Sequence, residues 1–235
     1  MAKRIVFRPV EGESAHLFIE NIVEFDWVAG MSKSQNQKWI RNLHEAARRQ
    51  LQIQKILEIS SKSESQEGVQ FSAFNLRRMY LNRITSVECL YQGSKVFENG
   101  GPYLDMYEGT SIDAKRDSRI KESGRLQHFE FESKKWELSE SPNFFDYLYL
   151  KALSDNSKSE FLLEFEAFTD FAYSQTTISK KDGKSFNCQA RSAAIFVSLV
   201  RSGKLIDFLS SPQDFQHLKS APAVHLSSQL NLFDA

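Results

Sequence analysis

Cysteine, net charge and long apolar runs are all scarce in this sequence of 235 residues. The two cysteines, Cys89 and Cys188, and the lack of a signal peptide predict a protein of the reduced cytoplasm. No apolar run approaches the roughly 20 residues of a membrane-spanning helix, so we expect no membrane association. The 30 acidic and 30 basic residues cancel, which excludes a general basic field for nucleic acid. Any contacts with DNA must therefore be local.

Sequence motifs for the common cofactors are missing as well. The five histidines and two cysteines show no metal-ligand spacing, and His44 with Glu45 lacks the second histidine of a zinc-binding helix. Neither a P-loop nor a dinucleotide-binding glycine pattern occurs. The sequence therefore predicts a protein that works without a metal or another cofactor.

What the sequence does contain is enough length and aromatic mass for a sizeable core. Its 19 phenylalanines are expected to fill that core before any of them stacks on a base. Ser34 is a plausible N-cap for the first helix. Hydrophobic periodicity predicts strands over residues 3–10, 16–27 and 126–133 and at the end of 51–60, helices over 35–51, 143–153, 160–168 and 187–201, and a polar loop over 60–68.

These elements predict an α+β fold, a single and predominantly helical domain with a small β-sheet. Residues 1–55 form N-terminal strands and a helix that elaborate the core, and residues 56–209 contain the core itself. Residues 210–235 form a tail that begins rich in serine and proline.

The stretch 71–103 carries the most candidate chemistry. A helix beginning near Ser86 would place Glu88, Gln92 and Lys95 on one flank, because positions i, i+4 and i+7 return to nearly the same side. Gly93 inside that helix costs about 1 kcal/mol relative to alanine, which suggests a close approach to its backbone. By itself, the same spacing also describes the solvated face of an ordinary surface helix.

Two motifs in this stretch resemble the NADAR, or YbiA-like, family. FSAFN (71–75) and SVECLYQGSK (86–95) match its Ser-Asn-Phe-type motif and its Ser-x-Glu-x-x-x-Gln-x-x-Lys motif. The wording AFN, SKVFENGGPY and NCQARSAA resembles the subfamily of antitoxins encoded beside DarT-type DNA ADP-ribosyltransferases. Further blocks fit at ISSKS (59–63), DAKRDSR (113–119), FTDFAY (168–173) and NCQARSAA (187–194), so that the resemblance covers about residues 56–203.

Two departures from the family pattern affect the expected pocket. Ala73 stands where the first motif has asparagine, and the Trp-Gly pair after the aspartate is missing. Phe171 and Tyr173 lie near that place instead. We therefore expect the pocket walls to differ from those of the better-known relatives.

The resemblance implies hydrolysis of the bond between the anomeric carbon of ADP-ribose and the exocyclic nitrogen of guanine in DNA. A carboxylate beside that carbon and an acid on the leaving nitrogen favour such a reaction, and Glu88 is the expected acid/base. A lysine can also form a Schiff base with the opened sugar; Lys62 and Lys95 are the candidates, and the sequence does not choose between them. Alternatives are a non-catalytic module that binds ADP-ribose or the toxin, and an N-glycosidase for a small metabolite.

The partners that the resemblance implies are ADP-ribosylated DNA, ADP-ribose as product and the cognate DarT-type toxin. Residues expected to bind the ligand are Ser72, Phe74, Asn75, Gln92, Lys115, Arg119, Asp170, Asn187 and Gln189.

Several of these residues have an ordinary structural interpretation too. Phe74 and Asn75 can stack on and read a nucleoside, or act as a core residue and a cap. Lys115 and Arg119 follow a helix start at Thr110, which suits a pyrophosphate but also describes a solvated helix. Asp170 would follow a helix and oppose its dipole, so it needs a local cap or a substrate hydroxyl as compensation. Asn187 is also a good N-cap for the last long helix.

The tail ends in a short motif of its own. Gln229, Leu230, Leu232 and Phe233 resemble the peptide by which bacterial repair and replication proteins bind the DNA sliding clamp. Such a peptide would enter an apolar pocket in extended form. The alternative is a terminal segment that folds back on the domain.

Overall fold

The computed structural model describes residues 1–12, 16–27, 29–30, 32–172 and 187–211, without the side chains of 141–142. Its strands are β1 (Ala2–Pro9), β2 (Phe18–Phe25), β3 (Ile56–Glu58), β4 (Arg77–Tyr80), β5 (Arg83–Ser86), β6 (Lys95–Phe97), β7 (Leu126–Phe131), β8 (Lys134–Glu137) and β9 (Ala167–Thr169). Its α-helices are α1 (Lys33–Leu51), α2 (Gln66–Gln70), α3 (Val87–Gly93), α4 (Ser111–Arg116), α5 (Arg119–Glu122), α6 (Ser141–Ser154), α7 (Gln189–Arg201) and α8 (Leu205–Ser210). Short 3-10 helices are Leu104–Glu108, Leu138–Glu140 and Ser159–Glu164.

The largest sheet has the strand order β2-β1-β9-β3. β1 pairs antiparallel with both β2 and β9, whereas β9 and β3 run parallel. The two N-terminal strands therefore share one sheet with β3 and β9. Because β3 and β9 run the same way, the residues that follow them emerge at the same edge of the sheet.

Helix α1 covers one face of this sheet. Successive side chains of β1 point to opposite faces, and Val6 joins Trp39, Ile40 and Leu43 of α1 in one apolar cluster. The predicted helix over 35–51 is confirmed, but its predicted cap was wrong. The helix begins two residues earlier, because Ser32 Oγ accepts a hydrogen bond from the Gln35 backbone N–H at 3.2 Å.

Helix α7 packs on the opposite face and α6 packs against α7, and both contribute to the larger, aromatic-rich core cluster. Phe7 of β1 and Phe168 of β9 belong to this cluster together with the rings of α6. The two helices are joined by polar contacts as well, since Asp146 accepts a hydrogen bond from Ser192 Oγ at 2.6 Å and forms an ion pair with Arg191 at 2.9 Å.

The apolar segment 160–168 is the main error in the predicted elements. It contains most of the 3-10 helix Ser159–Glu164 and the first residues of β9 rather than an α-helix. β9 bonds to strands on both sides, and this pairing determines its conformation. Asp170 therefore follows a strand rather than the C-terminus of a helix, so the predicted conflict with a helix dipole does not arise; its Oδ2 instead accepts from the backbone N–H of Gln189, the first residue of α7. The predicted loop 60–68 likewise contains the first residues of α2.

Two smaller sheets complete the described chain: the β4–β5 hairpin and the three-stranded sheet β6-β7-β8. The α+β prediction is confirmed, with strands that divide among three sheets rather than one. None of the helices in the described ranges has both the length and the apolar character to cross a membrane.

Candidate active site

Helix α3 and the strand after it bring Glu88, Gln92 and Lys95 together. Ser86 caps the helix by accepting from the Cys89 N–H at 3.1 Å, which places Glu88 in the first turn. The Gln92 side chain donates to Glu88 Oε1 at 2.9 Å and accepts from Lys95 Nζ at 2.7 Å. One amide thus bridges the carboxylate and the amine. Glu88 and Gln92 are each only 8% exposed, so the surface-helix interpretation does not hold.

Lys95 reaches this position from a strand rather than from the predicted helix. The helix ends at Gly93, Ser94 is its C-cap, and Lys95 begins β6. A Cβ on Gly93 would lie 2.5 Å from Tyr107 Cε1 and 2.8 Å from the Tyr103 carbonyl oxygen. The predicted close approach to Gly93 is therefore confirmed, and the protein's own chain makes it.

The amine of Lys95 is held in a poorly solvated place. Burial, opposed in part by the Glu88 carboxylate and reinforced by the Lys115 charge, lowers the pKa of Lys95 to about 8. Lys95 Nζ also lies 5.0 Å from the centroid of the Tyr91 ring. A larger fraction of Lys95 than of a solvated lysine is therefore in the neutral form, which is the nucleophilic one.

The FSAFN segment connects α3 to α7 through its backbone. The Ala73 carbonyl accepts from the Glu88 N–H at 2.9 Å, and the Ala73 N–H donates to Gln189 Oε1 at 2.5 Å. Gln189 in turn donates its backbone N–H and its side-chain amide to Asp170 Oδ2, at 3.0 and 3.2 Å. Glu88, Gln189 and Asp170 therefore belong to one hydrogen-bonded network, although they are far apart in sequence.

Asp170 is fully enclosed at the end of β9. Its Oδ1 accepts from the Ala172 N–H at 3.0 Å, which makes it a local cap as well as a member of the network. Burial raises the pKa of Asp170, while the hydrogen bonds from Gln189 and the charge of Lys115 lower it. The local cap that the sequence suggested for this residue is therefore present, and a contact with a substrate hydroxyl stays a prediction.

Glu58, at the end of β3, is a buried site residue that the sequence analysis missed. Its carboxylate accepts from Thr169 Oγ1 at 2.5 Å and from the Phe171 N–H at 2.7 Å. Burial, with the Asp170 charge as a second cause, raises the pKa of Glu58 to about 7. The sequence did contain a signal for Glu58. It lies within the apolar segment KILEIS (55–60), so a buried strand there also buries its carboxylate.

Lys115 and Phe74 form a pair beside the network. Lys115 Nζ lies 4.8 Å from the centroid of the half-buried Phe74 ring, and the pKa values of both Lys95 and Asp170 respond to its charge. Arg119 is not part of this group. It lies on α5, where Asp105 and Asp117 each bind its guanidinium at 2.7 Å.

The remaining predicted ligand residues have mainly local contacts. Ser72 Oγ donates to the Val69 carbonyl at 2.7 Å, and the Asn75 amide donates to the same oxygen at 2.9 Å. Lys62 follows β3 with a half-buried side chain, and its backbone N–H donates to Ser60 Oγ at 3.1 Å.

Asn187 is not the N-cap of α7 as predicted, since Cys188 has that position. The Asn187 Oδ1 is buried and has no hydrogen-bond partner within the described chain.

Three surface cavities of about 610, 710 and 540 Å³ lie elsewhere, around Phe161, Tyr107 and Phe25. Glu88, which is buried, lines none of these three cavities. No cluster of metal-ligand side chains occurs in the described ranges. Tyr173 and the motif residues Gln229, Leu230, Leu232 and Phe233 lie outside the described residues.

Comparison with known proteins gives the site a context. A search of curated proteins found no match. A family model for the DarT1-associated NADAR antitoxin matches residues 2–228, which takes in the N-terminal strands, α1 and every residue of the hydrogen-bonded network above. On that match, the chain belongs to the family of DarT1-associated NADAR antitoxins.

Proposed function

We propose that this antitoxin hydrolyses the N-glycosidic bond between ADP-ribose and guanine bases of DNA, and so reverses the modification made by its cognate DarT-type toxin. The observation that carries the proposal is the Glu88–Gln92–Lys95 cluster, in which a buried carboxylate and a half-buried amine flank one buried amide. A carboxylate held close to a lysine with a lowered pKa is typical of sites for acid–base and covalent chemistry.

In a direct hydrolysis, water attacks the anomeric carbon while the bond to the guanine nitrogen breaks. The sugar carbon becomes cationic on the way, and a carboxylate beside it stabilises that charge. Glu88 would take the proton from the attacking water and return one to the leaving nitrogen. The hydrogen bond from Gln92 holds the carboxylate in one orientation for both transfers.

In a covalent route, the sugar ring first opens and leaves an imine between its first carbon and the guanine nitrogen. A neutral lysine amine adds to that carbon, guanine leaves with its amino group restored, and water then hydrolyses the lysine Schiff base. The lowered pKa of Lys95 favours it for this role. Lys62 is the second candidate, since it follows β3 at the sheet edge where Asp170 also emerges.

The groups around the cluster would bind the rest of the ligand. We propose that Phe74 and Lys115 contact the ADP moiety, the ring by stacking and the amine at the pyrophosphate. The buried Asn187 oxygen, which is unsatisfied within the described chain, would accept a hydrogen bond from the ribose or the base. Arg119 would have to leave its two carboxylates to take part, so its contribution to binding would be small.

Glu88→Gln tests the catalytic role. We expect turnover of an ADP-ribosylated guanine oligonucleotide to fall by about 10²- to 10⁴-fold, while binding of ADP-ribose persists. Glu45→Gln, an exposed change on α1, is the matched control and should leave turnover unchanged. If Glu88→Gln protected cells from the toxin as well as the wild type, the protein would be a binding module instead.

Borohydride reduction during turnover tests the covalent route. We expect a trapped adduct in the wild type, lost in either Lys62→Ala or Lys95→Ala according to which lysine is the nucleophile. If the active wild type gives no adduct, the Schiff base is excluded and direct hydrolysis remains. Faster release of ADP-ribose from a free nucleotide than from modified DNA would indicate a metabolite substrate.

We also propose that the tail residues Gln229, Leu230, Leu232 and Phe233 bind the DNA sliding clamp. Deletion of 229–233 should abolish binding to the purified clamp and leave hydrolysis unchanged. Equal clamp binding by the deletion variant would contradict this.

A further inference from the structure

The β4–β5 hairpin exposes an apolar surface between the two sequence motifs of the site, FSAFN (71–75) and SVECLYQGSK (86–95). It connects FSAFN directly to the Ser86 cap of α3. Met79 and Ile84 are paired across its strands, and they are 57% and 64% exposed. Residues paired in this way point to the same face of a hairpin, so the two side chains form one apolar patch. An exposed pair of this kind on a short hairpin indicates a contact surface.

This face of the hairpin lies beside the candidate active site. Arg77 and Ser86 are also paired, and alternation along each strand puts them on the same face as Met79 and Ile84. Ser86 Oγ lies 2.8 Å from Ser111 Oγ at the start of α4, and Ser111 Oγ donates to the Phe74 carbonyl at 2.6 Å. The patch therefore continues toward α4 and Phe74, where Lys115 is placed.

The charged residues of the hairpin itself are all cationic. Residues 76–86 include three arginines and no acidic residue. Arg78 and Arg83 form ion pairs with Asp155 and Glu108, whereas Arg77 is exposed and has no ion-pair partner among the described residues. Lys115 and Arg116 on α4 add two exposed cations to the same side.

We propose that this hairpin face, defined by Arg77, Met79 and Ile84, binds the DNA strand next to the modified guanine. The inference rests on the proposed function, because it supplies the polymer context for that site. Apolar side chains pack on unstacked base faces without regard to sequence, and an arginine beside them contacts phosphate. A chain with zero net charge has to hold DNA through such a local surface.

Two variants test this surface: the double change Met79→Ser/Ile84→Ser, and Arg77→Gln. All three side chains are exposed or at the hairpin edge, so both proteins should fold, which circular dichroism would verify. Ile206→Ser on α8, 77% exposed, is the matched control for loss of an exposed apolar side chain.

The first readout is binding of a fluorescent, unmodified single-stranded oligonucleotide, which does not depend on catalysis. We expect about 10-fold weaker binding for the double variant, because it loses the apolar side chains that pack on the base faces. Arg77→Gln should reduce the steepness with which log K for DNA binding falls with log salt concentration, by about the amount that one phosphate contact contributes. The Ile206→Ser control should bind as the wild type does. Unchanged binding in both hairpin variants would overturn the inference.

The second readout compares hydrolysis of an ADP-ribosylated oligonucleotide with that of ADP-ribosylated guanosine. The hairpin variants should lose kcat/KM on the oligonucleotide only. Equal loss on both substrates would mean that the hairpin acts on the site rather than on DNA, which overturns the inference. Loss of binding to the purified toxin with unchanged oligonucleotide binding would also overturn it, in favour of a protein contact. Failure of the wild type to hydrolyse either substrate would refute the proposed function and leave the binding result to decide the hairpin.

Discussion

Two buried carboxylates in this protein interact with charges of opposite sign: Asp146 with a cation and Glu58 with another carboxylate. Asp146, between α6 and α7, is 2% exposed and contacts the Arg191 guanidinium at 2.9 Å and the Ser192 hydroxyl at 2.6 Å. Glu58, at the end of β3, is 3% exposed and accepts hydrogen bonds only from neutral donors within the described chain. The charged group that shifts the pKa of Glu58 is another carboxylate, Asp170.

The difference lies in the charge that each carboxylate faces. Burial raises the pKa of both groups, but an adjacent cation opposes the effect at Asp146 and an adjacent anion adds to it at Glu58. A folded protein gains nothing in stability from placing two carboxylates together in its interior. Such an arrangement is typical of sites that bind or transform a ligand, here beside the Glu88–Gln92–Lys95 cluster.

The largest effect is expected from breaking the compensated pair. Asp146→Ala removes the carboxylate that contacts the Arg191 guanidinium, and we expect a loss of about 3–5 kcal/mol in the free energy of unfolding. Urea denaturation monitored by tryptophan fluorescence measures this. The double variant Asp146→Leu/Arg191→Met should recover most of the loss, and a double variant no more stable than Asp146→Ala would show that the ion pair is not the cause.

A smaller and pH-dependent effect is expected at Glu58. Its pKa is about 7 in the folded protein and near 4.5 when unfolded, so between these values the folded state binds more protons. Stability from this group therefore falls as pH rises from about 4.5 to 7, by about 3 kcal/mol at most.

Glu58→Gln removes that dependence. The variant should gain stability relative to the wild type at pH 8 compared with pH 5, as measured by urea denaturation at both values. Asp146→Asn is a useful contrast with Glu58→Gln, because the carboxylate charge that it removes is paired with Arg191, whereas Glu58 interacts with another carboxylate. Parallel curves for wild type and Glu58→Gln would show that Glu58 does not titrate in this range.

The smallest effect concerns the two charged residues that shift the pKa of Lys95. Lys115 lowers the pKa of Lys95, whereas Glu88 raises it. Lys115→Met should therefore raise the pKa of Lys95, and Glu88→Gln should lower it. The rate of amine acylation at Lys95 as a function of pH, followed by mass spectrometry, measures both. Lys135→Met, an exposed change on β8, is the control, and shifts of the same sign in the two test variants would contradict the assignment.

Much of the site could be predicted because its parts are local in sequence. Glu88 and Gln92 are four residues apart, and a short helix alone is enough to bring them together. Family resemblance pointed to Asp170 and Gln189 through short blocks of residues. The strands β1 and β2 and the helices α1 and α6 followed from periodicity in long, regular segments.

The errors occurred where neighbouring elements decide the conformation. An apolar run of nine residues fits a helix or a buried strand equally, and only the pairing of β9 with β1 and β3 decides between them. Lys95 was assigned to a helix that ends at Gly93, because the Tyr103 and Tyr107 contacts that determine this end come from a later segment. Glu58 was missed because its partners, Thr169 and Phe171, are more than 100 residues away.

By itself, the sequence determined the class of fold, the family and the identity of the acidic residue on α3, since these depend on patterns within short segments. Only the tertiary structure decided which charges meet. The parallel pairing of β3 with β9 placed Glu58 beside Asp170, and the backbone of Ala73 tied both α3 and Gln189 to the same network. The physical reason is that burial and charge–charge contact depend on distances in space, which residues far apart in the chain acquire only when it folds.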